Sequence, residues 1–260
     1  MAGTGNKAIL NETFYPVPTE VHVNGIKKDS CGRTCDLTYN LNNVTIKFDQ
    51  QINSCKNMFY GSQNIIEVNL SNFDTSQVTN MNSMFKECYN ITKINFGNMV
   101  TSSVNDMSHL FESCSKLTSI DVSNFDTSSV TTLSFMFSRC DLIGPIDLSN
   151  FKTSNVIELE DIFSYNTKLI SVNLSGFDTS KVTNMKGMFF DCNSLKYLDL
   201  QNFSGSSLVS LKVAFSHLRG LFFINLKSFK TSSNVELEYT FGGGASNTKY
   251  CLKIHQQDIF

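Results

Sequence analysis

The chain has 260 residues, 41% of them hydrophobic, and a net charge of -2 from 21 basic and 23 acidic side chains. That apolar share supports a packed core and excludes a wholly disordered polymer. Charges of both signs are scattered, so no basic stripe exists to hold a phosphate backbone, which argues against a nucleic-acid partner. The longest apolar run, Gly220 to Ile224, is far short of the roughly 18 residues of a membrane-spanning helix. The first residues lack the apolar centre of a secretory signal, so we expect either an intracellular protein or a segment whose signal and anchor lie elsewhere.

Residues 1–51 come first and stand apart. Pro16-Val17-Pro18 and Val21-x-Val23 predict extended chain, and Val44-x-Ile46-x-Phe48 alternates like a strand, so this region is expected to be a β-type N-terminal cap. Between these stretches Cys31-Gly-Arg-Thr-Cys35 forms a polar loop whose short spacing allows a disulfide, with itself or with Cys55. A metal site is not expected, because no second pair of ligands has zinc-like spacing.

From Ile52 the sequence repeats with a period of 26: Phe59, Phe85, Phe111, Phe137, Phe163, Phe189, Phe215 and Phe241 recur at that interval. About eight units follow, 52–77, 78–103, 104–129, 130–155, 156–181, 182–207, 208–233 and a degenerate 234–259 that would serve as a C-terminal cap. Within a unit, Leu117-x-x-Ile120-x-Val122-x-x-Phe125 has the central alternation of a short strand. Val130-x-x-Leu133-x-x-Met136-Phe137-x-x-Cys140 places apolar residues three or four apart, which predicts a helical or 3₁₀ segment. Asn124 to Ser128 is a polar turn whose Thr or Ser would cap the next segment. One unit buries too little apolar surface to offset ordering its own backbone, so the units must stack and their ends need covering.

The repeat V-T-N-M-x-x-M-F-x-x-C-x-x-L-x-x-L-D-L-S-N-F-D-T-S, nearly whole at Val182 to Leu200 and at Ser119 to Ser128, resembles that of BspA-like surface proteins. These form a leucine-rich-repeat family of bacterial and protist surfaces, also found in lipoprotein-like proteins of wall-less bacteria. The resemblance covers residues 52 to 259 and weakens where Ala214 and Leu218 replace the methionine and cysteine positions and where Gly242 to Gly244 end the last copy. It implies a cell-surface or extracellular protein used for adhesion to a host or matrix protein, or to a glycan. The expected fold class is an α/β repeat: a leucine-rich-repeat solenoid with about eight short parallel strands on one face, short helical or 3₁₀ segments on the other, and the β-type cap.

Cys88, Cys114, Cys140 and Cys192 share one column of the repeat, with Asn166 in the same place, which is the pattern of a packing residue and not of a nucleophile. Such thiols favour a reducing, cytoplasmic setting, where the alternative function is a scaffold for protein–protein interaction. Phosphate loop, dinucleotide glycine pattern, nucleophile elbow and zinc-protease helix are all absent. His22, His109, His217 and His255 form no constellation, and Asp74, Asp126 and Asp178 share their column with Lys152 and Lys230, as turn residues do. We therefore expect no enzyme, no cofactor and no metal. A binding surface is expected on the outward strand positions, where one column includes Asp121, Asp147, Asn173, Asp199 and Asn225. In a neighbouring column Glu67, Lys93, Ser119, Pro145 and Ser171 give way to Tyr197 and Phe223, an aromatic pair flanked by Asp199 and Asn225 that is the expected contact patch.

Overall fold

The computed structural model describes residues 1–142, 144–227, 229–231, 233–243 and the backbone of 249–251. Residues 1–51 fold into five strands, β1 (Gly5–Ala8), β2 (Glu20–Val23), β3 (Ile26–Lys27), β4 (Thr34–Leu37) and β5 (Val44–Lys47). All their pairings are antiparallel: β1 with β4, and β2 with both β3 and β5. A small core of Ile9, Val21, Val23, Cys35 and Leu37 holds this region. Leu10 and Phe14 belong instead to the main core. The Asn11 amide donates to the Met58 carbonyl at 2.9 Å, and Phe14, Phe48 and Phe73 meet edge to face, so the first repeat unit is covered on its N-terminal side.

Beyond the cap come β6 (Glu67–Asn69), β7 (Lys93–Asn95), β8 (Gly144–Asp147), β9 (Leu169–Asn173), β10 (Tyr197–Asp199), β11 (Phe223–Asn225) and β12 (Lys249–Cys251). They pair parallel in separate small sheets, β6 with β7, β8 with β9, and β10 with β11 and then β12. The expected sheet of about eight strands is therefore broken into pieces. Residues 119–121 form no strand, and the pairing of β8 with β9 shifts register between Gly144 and Pro145. Proline has no N–H to donate, so it is tolerated where it falls here, at an edge strand with an irregular register.

The larger correction concerns the other half of each unit. Among the described residues there is no helix of any kind, so the expected α/β leucine-rich-repeat solenoid is overturned. In unit 130–155 the amides of Leu133, Phe135, Phe137 and Arg139 donate outward, to the carbonyls of Glu158, Glu160, Ile162 and Ser164 in the next unit. The amides between them turn inward, Met136 to the Leu133 carbonyl and Ser138 to the Phe135 carbonyl. An α-helix sends every amide to its own turn, four residues back. Here alternate amides stitch neighbouring coils together, and others close tight four-residue turns, each amide bonding the carbonyl three residues back.

Those turns require two residues per unit with positive φ. Asn57, Ser83, His109, Phe135, Asp161, Gly187, Val213 and Tyr239 occupy the first such column, and Gly61, Glu87, Ser113, Arg139, Tyr165, Asp191, His217 and Gly243 the second. For most side chains this conformation costs roughly 1–2 kcal/mol, and it persists because inter-coil hydrogen bonds on both sides determine it. Successive turns closed between residues three apart return apolar side chains to the same side at three-residue spacing, which imitates the helical period.

Stacking is close along the whole array. The Phe59 to Phe241 rings form one continuous ladder with neighbouring centroids 5.2 to 6.3 Å apart, and Phe151, Phe177 and Phe203 form a second. A threonine ladder replaces the predicted helix cap. Thr101, Thr127, Thr153 and Thr179 each donate Oγ1 to a carbonyl of the next coil and accept the amide of the same residue, as Thr127 does with Lys152 at 3.1 and 2.8 Å. The expected C-terminal cap lies, beyond Gly243, outside the described residues except for the backbone of β12; Val235, Leu237 and Phe241 pack on the core.

Candidate functional site

Cys31 and Cys35 form a disulfide, with Cα atoms 4.7 Å apart, and Cys55 is a separate, buried free thiol. Cys88, Cys114, Cys140 and Cys192 each donate Sγ–H to a phenylalanine carbonyl in the preceding coil at 3.0 to 3.1 Å. Asn166 takes the same part in its coil, donating Nδ2 to the Phe137 carbonyl at 2.7 Å and to that of Phe163 at 2.8 Å. This column therefore selects a small buried donor. Burial pushes the thiols of Cys55, Cys88 and Cys140 up to about 12, which removes the thiolate any nucleophilic role would need. Among the described residues no group of His, Cys, Asp or Glu is arranged to hold a metal ion, and no helix is long and apolar enough to cross a membrane.

The outward polar column is occupied with its own backbone. Asp121, Asp147 and Asp199 accept the amides of Ser123, Ser149 and Gln201, and Asn173 and Asn225 donate Nδ2 to Asp147 and Asp199 at 2.9 Å. Hydrogen bonds from Ser123 and Ser149 hold the Asp121 and Asp147 carboxyls below their usual range. These bonds stabilise turns, and those of Asn173 and Asn225 link coils, all through Oδ1 of the aspartates. Asp74, Asp126 and Asp178 likewise accept the amides of Ser76, Ser128 and Ser180. The histidines stay apart: His22 contacts Glu20, His109 contacts Glu112, and His217 contacts Ser216. His255 lies outside the described residues.

The expected aromatic pair is altered. Tyr197 is 62% exposed and pairs in register with Phe223, but Phe223 is half-buried on β11, between β10 and β12. Phe222, 56% exposed, turns toward Tyr197 instead, with ring centroids 6.4 Å apart and the Lys196 ammonium 5.5 Å from its ring. Sequence reasoning missed Phe222 because strict alternation gave only Phe223 to the outward column. The sheet-side patch is therefore Tyr197, Phe222 and Lys196, beside Asp199.

A second irregularity lies on the turn side, where sequence reasoning proposed nothing. A cleft of about 410 Å³ opens there, lined by Phe135, Arg139, Asp161, Tyr165 and Phe190 among others. The legible signal was a set of large residues, Phe135, Tyr165 and Phe190, falling close together in columns that elsewhere hold mostly small or polar residues, with Tyr60, Val213 and Tyr239 as the exceptions.

The 26-residue stack and its tiled hydrogen bonds define a repeat protein. Residues 36–143 and 140–253 match the family described as Mycoplasma protein of unknown function, DUF285, and the chain belongs to that family. No curated protein and no solved structure matches it.

Proposed function

We propose that this chain is a non-catalytic binding module of the bacterial cell surface that recognises a protein partner through its sheet-side edge. The observation that carries this reading is the exposed Tyr197–Phe222 pair beside Lys196 on the sheet side. Aromatic side chains with a nearby charge are what interaction hot spots contain. The Cys31–Cys35 disulfide favours an oxidising setting. The buried thiols do not oppose it, since each is enclosed and hydrogen-bonded in the core. The likeness of the repeat residues to BspA-like surface proteins supports adhesion to host or matrix proteins, with a glycan as the alternative ligand.

The test has two arms. Trypsin treatment of intact cells should digest the protein, and purified chain should bind immobilised matrix proteins or host-cell surfaces, with binding reduced at least ~10-fold by the double change Tyr197→Ala and Phe222→Ala. Protection until the cells are lysed would turn the reading to an intracellular scaffold. Undiminished binding by the double variant would remove the patch.

A further inference from the structure

The cleft on the turn side has an origin in the repeat itself. In the first positive-φ column Phe135, Asp161 and Val213 all carry side chains, but Gly187 has none, and a Cβ built there would overlap the Asp161 carboxylate. Asp161 therefore lies over Gly187, in the gap that the missing side chain leaves. Beside it, Ser138 and Ser164 are small and buried, and bond to each other through their hydroxyls at 2.8 Å, while Phe190 follows in their column. Small residues in two adjacent columns thus open a notch, and large ones on either side wall it.

The charges around this notch are unequally satisfied. Glu112, at one end, is held by Lys86 at 2.8 Å and His109 at 2.5 Å, and Glu160, outside it, by Lys186 at 2.8 Å. Asp161 has no ion-pair partner among the described residues, and burial raises its carboxyl to about 6. The Arg139 guanidinium is stacked 3.9 Å over the Tyr165 ring. Tyr165 meets Phe190 edge to face, and His109 covers one face of Phe135. A positive group entering between the aromatic walls would meet the Asp161 carboxyl, which Arg139 and Lys186 favour only through space and which no ion pair holds among the described residues, and would gain cation–π attraction as well.

We propose that this cleft binds the cationic side chain of a partner polypeptide, with Asp161 as its counter-charge and Phe135, Tyr165 and Phe190 as its walls. The site is separate from the sheet-side patch and stands or falls without it. A lysine side chain is long and narrow enough to reach the carboxylate while its methylenes lie along the rings.

The experiment is an NMR titration of the whole chain with acetyl-Gly-Lys-Gly-amide, following the Gly187 and Ser164 amides and the Asp161 side-chain carboxyl. Saturable shifts at these positions, a fall in the Asp161 titration midpoint with peptide bound, and at least ~10-fold weaker binding by the glutamine analogue and by Asp161→Asn would support the proposal. No saturable shift, or equal binding by Asp161→Asn, would overturn it. Saturation by putrescine but not by the peptide would overturn the polypeptide assignment, because a free amine would then be the ligand. The carboxyl titration is read in the unaltered protein, so it decides the matter even if the variant folds poorly.

Discussion

Thr127 sits at the middle of the threonine ladder and is fully buried. Its hydroxyl donates to the Lys152 carbonyl at 3.1 Å and accepts the Lys152 amide at 2.8 Å. Thr127→Val keeps the side chain's shape but removes both bonds at once. Each lost bond is worth about 1 kcal/mol, and each backbone group left unpaired adds up to ~1–3 kcal/mol where water cannot reach it. The Lys152 side chain is largely exposed, so water offsets part of that penalty and the expected cost is about 2–4 kcal/mol. Thr127→Ser keeps the hydroxyl and loses one methyl, for about 0.5–1.5 kcal/mol. Urea denaturation midpoints compared at equal slope would rank the variants, and hydrogen exchange at the Lys152 amide would report the bond itself. A valine variant as stable as the serine variant, with the Lys152 amide still protected, would refute the ladder's role in joining the coils.

Further outcomes follow from the same geometry. Alkylation of the native protein at pH 8 should leave Cys55, Cys88, Cys114, Cys140 and Cys192 unmodified, and unfolding without reductant should expose these five while sparing Cys31 and Cys35; peptide mass mapping checks both. Asn166→Ala, which takes its donor from the Phe137 carbonyl while that of Phe163 keeps the Cys192 thiol, should cost about 1–3 kcal/mol, whereas Asn166→Cys, the residue of the sister coils, should stay within ~1 kcal/mol of the parent because its thiol can bond the Phe137 carbonyl and Asn166 Oδ1 has no partner to lose; chemical denaturation distinguishes them. Asp161 titrates near 6 because of burial, against an opposing bond from Ser164, with Glu160 raising it and Lys186 and Arg139 lowering it. Its folded pKa lies above the ordinary carboxylate value of 3.8, so the folded state holds the extra proton and stability should fall as pH rises from about 4 to about 6. After screening at this half-buried site the loss should be about 1–2 kcal/mol, and Asp161→Asn should flatten the pH profile and be the more stable protein at pH 7. Gly187→Ala should lower the melting temperature, because it places a Cβ at positive φ against Asp161; an unchanged value would count against the origin given for the cleft.

Much of the architecture was legible in the residues. The period of the Phe59 to Phe241 column, the Cys88 to Cys192 column and the separate β-rich N-terminal region all follow from apolar spacing, because stacked coils must present the same side chain at the same place. What the spacing could not distinguish was a helix from consecutive turns, since both return apolar side chains after three residues. The deciding quantity is the sign of φ at positions such as Phe135, Arg139 and Val213. None of these is a glycine or an asparagine that would announce the left-handed conformation, and the inter-coil hydrogen bonds that impose it connect residues 25 apart.

The binding surfaces divide in the same way. Sequence alone placed Tyr197 outward and showed that the strand columns are polar, because those depend only on alternation. That Asp121, Asp147 and Asn173 are committed to their own turns and neighbours, that Phe222 and not Phe223 turns toward Tyr197, and that Asp161 occupies the gap over Gly187 are facts of contact between coils. The repeat fixes which residues become neighbours across the stack; only the tertiary structure decides whether a side chain is spent on holding its neighbour or left to meet something else, since that depends on distances and on which faces are already covered.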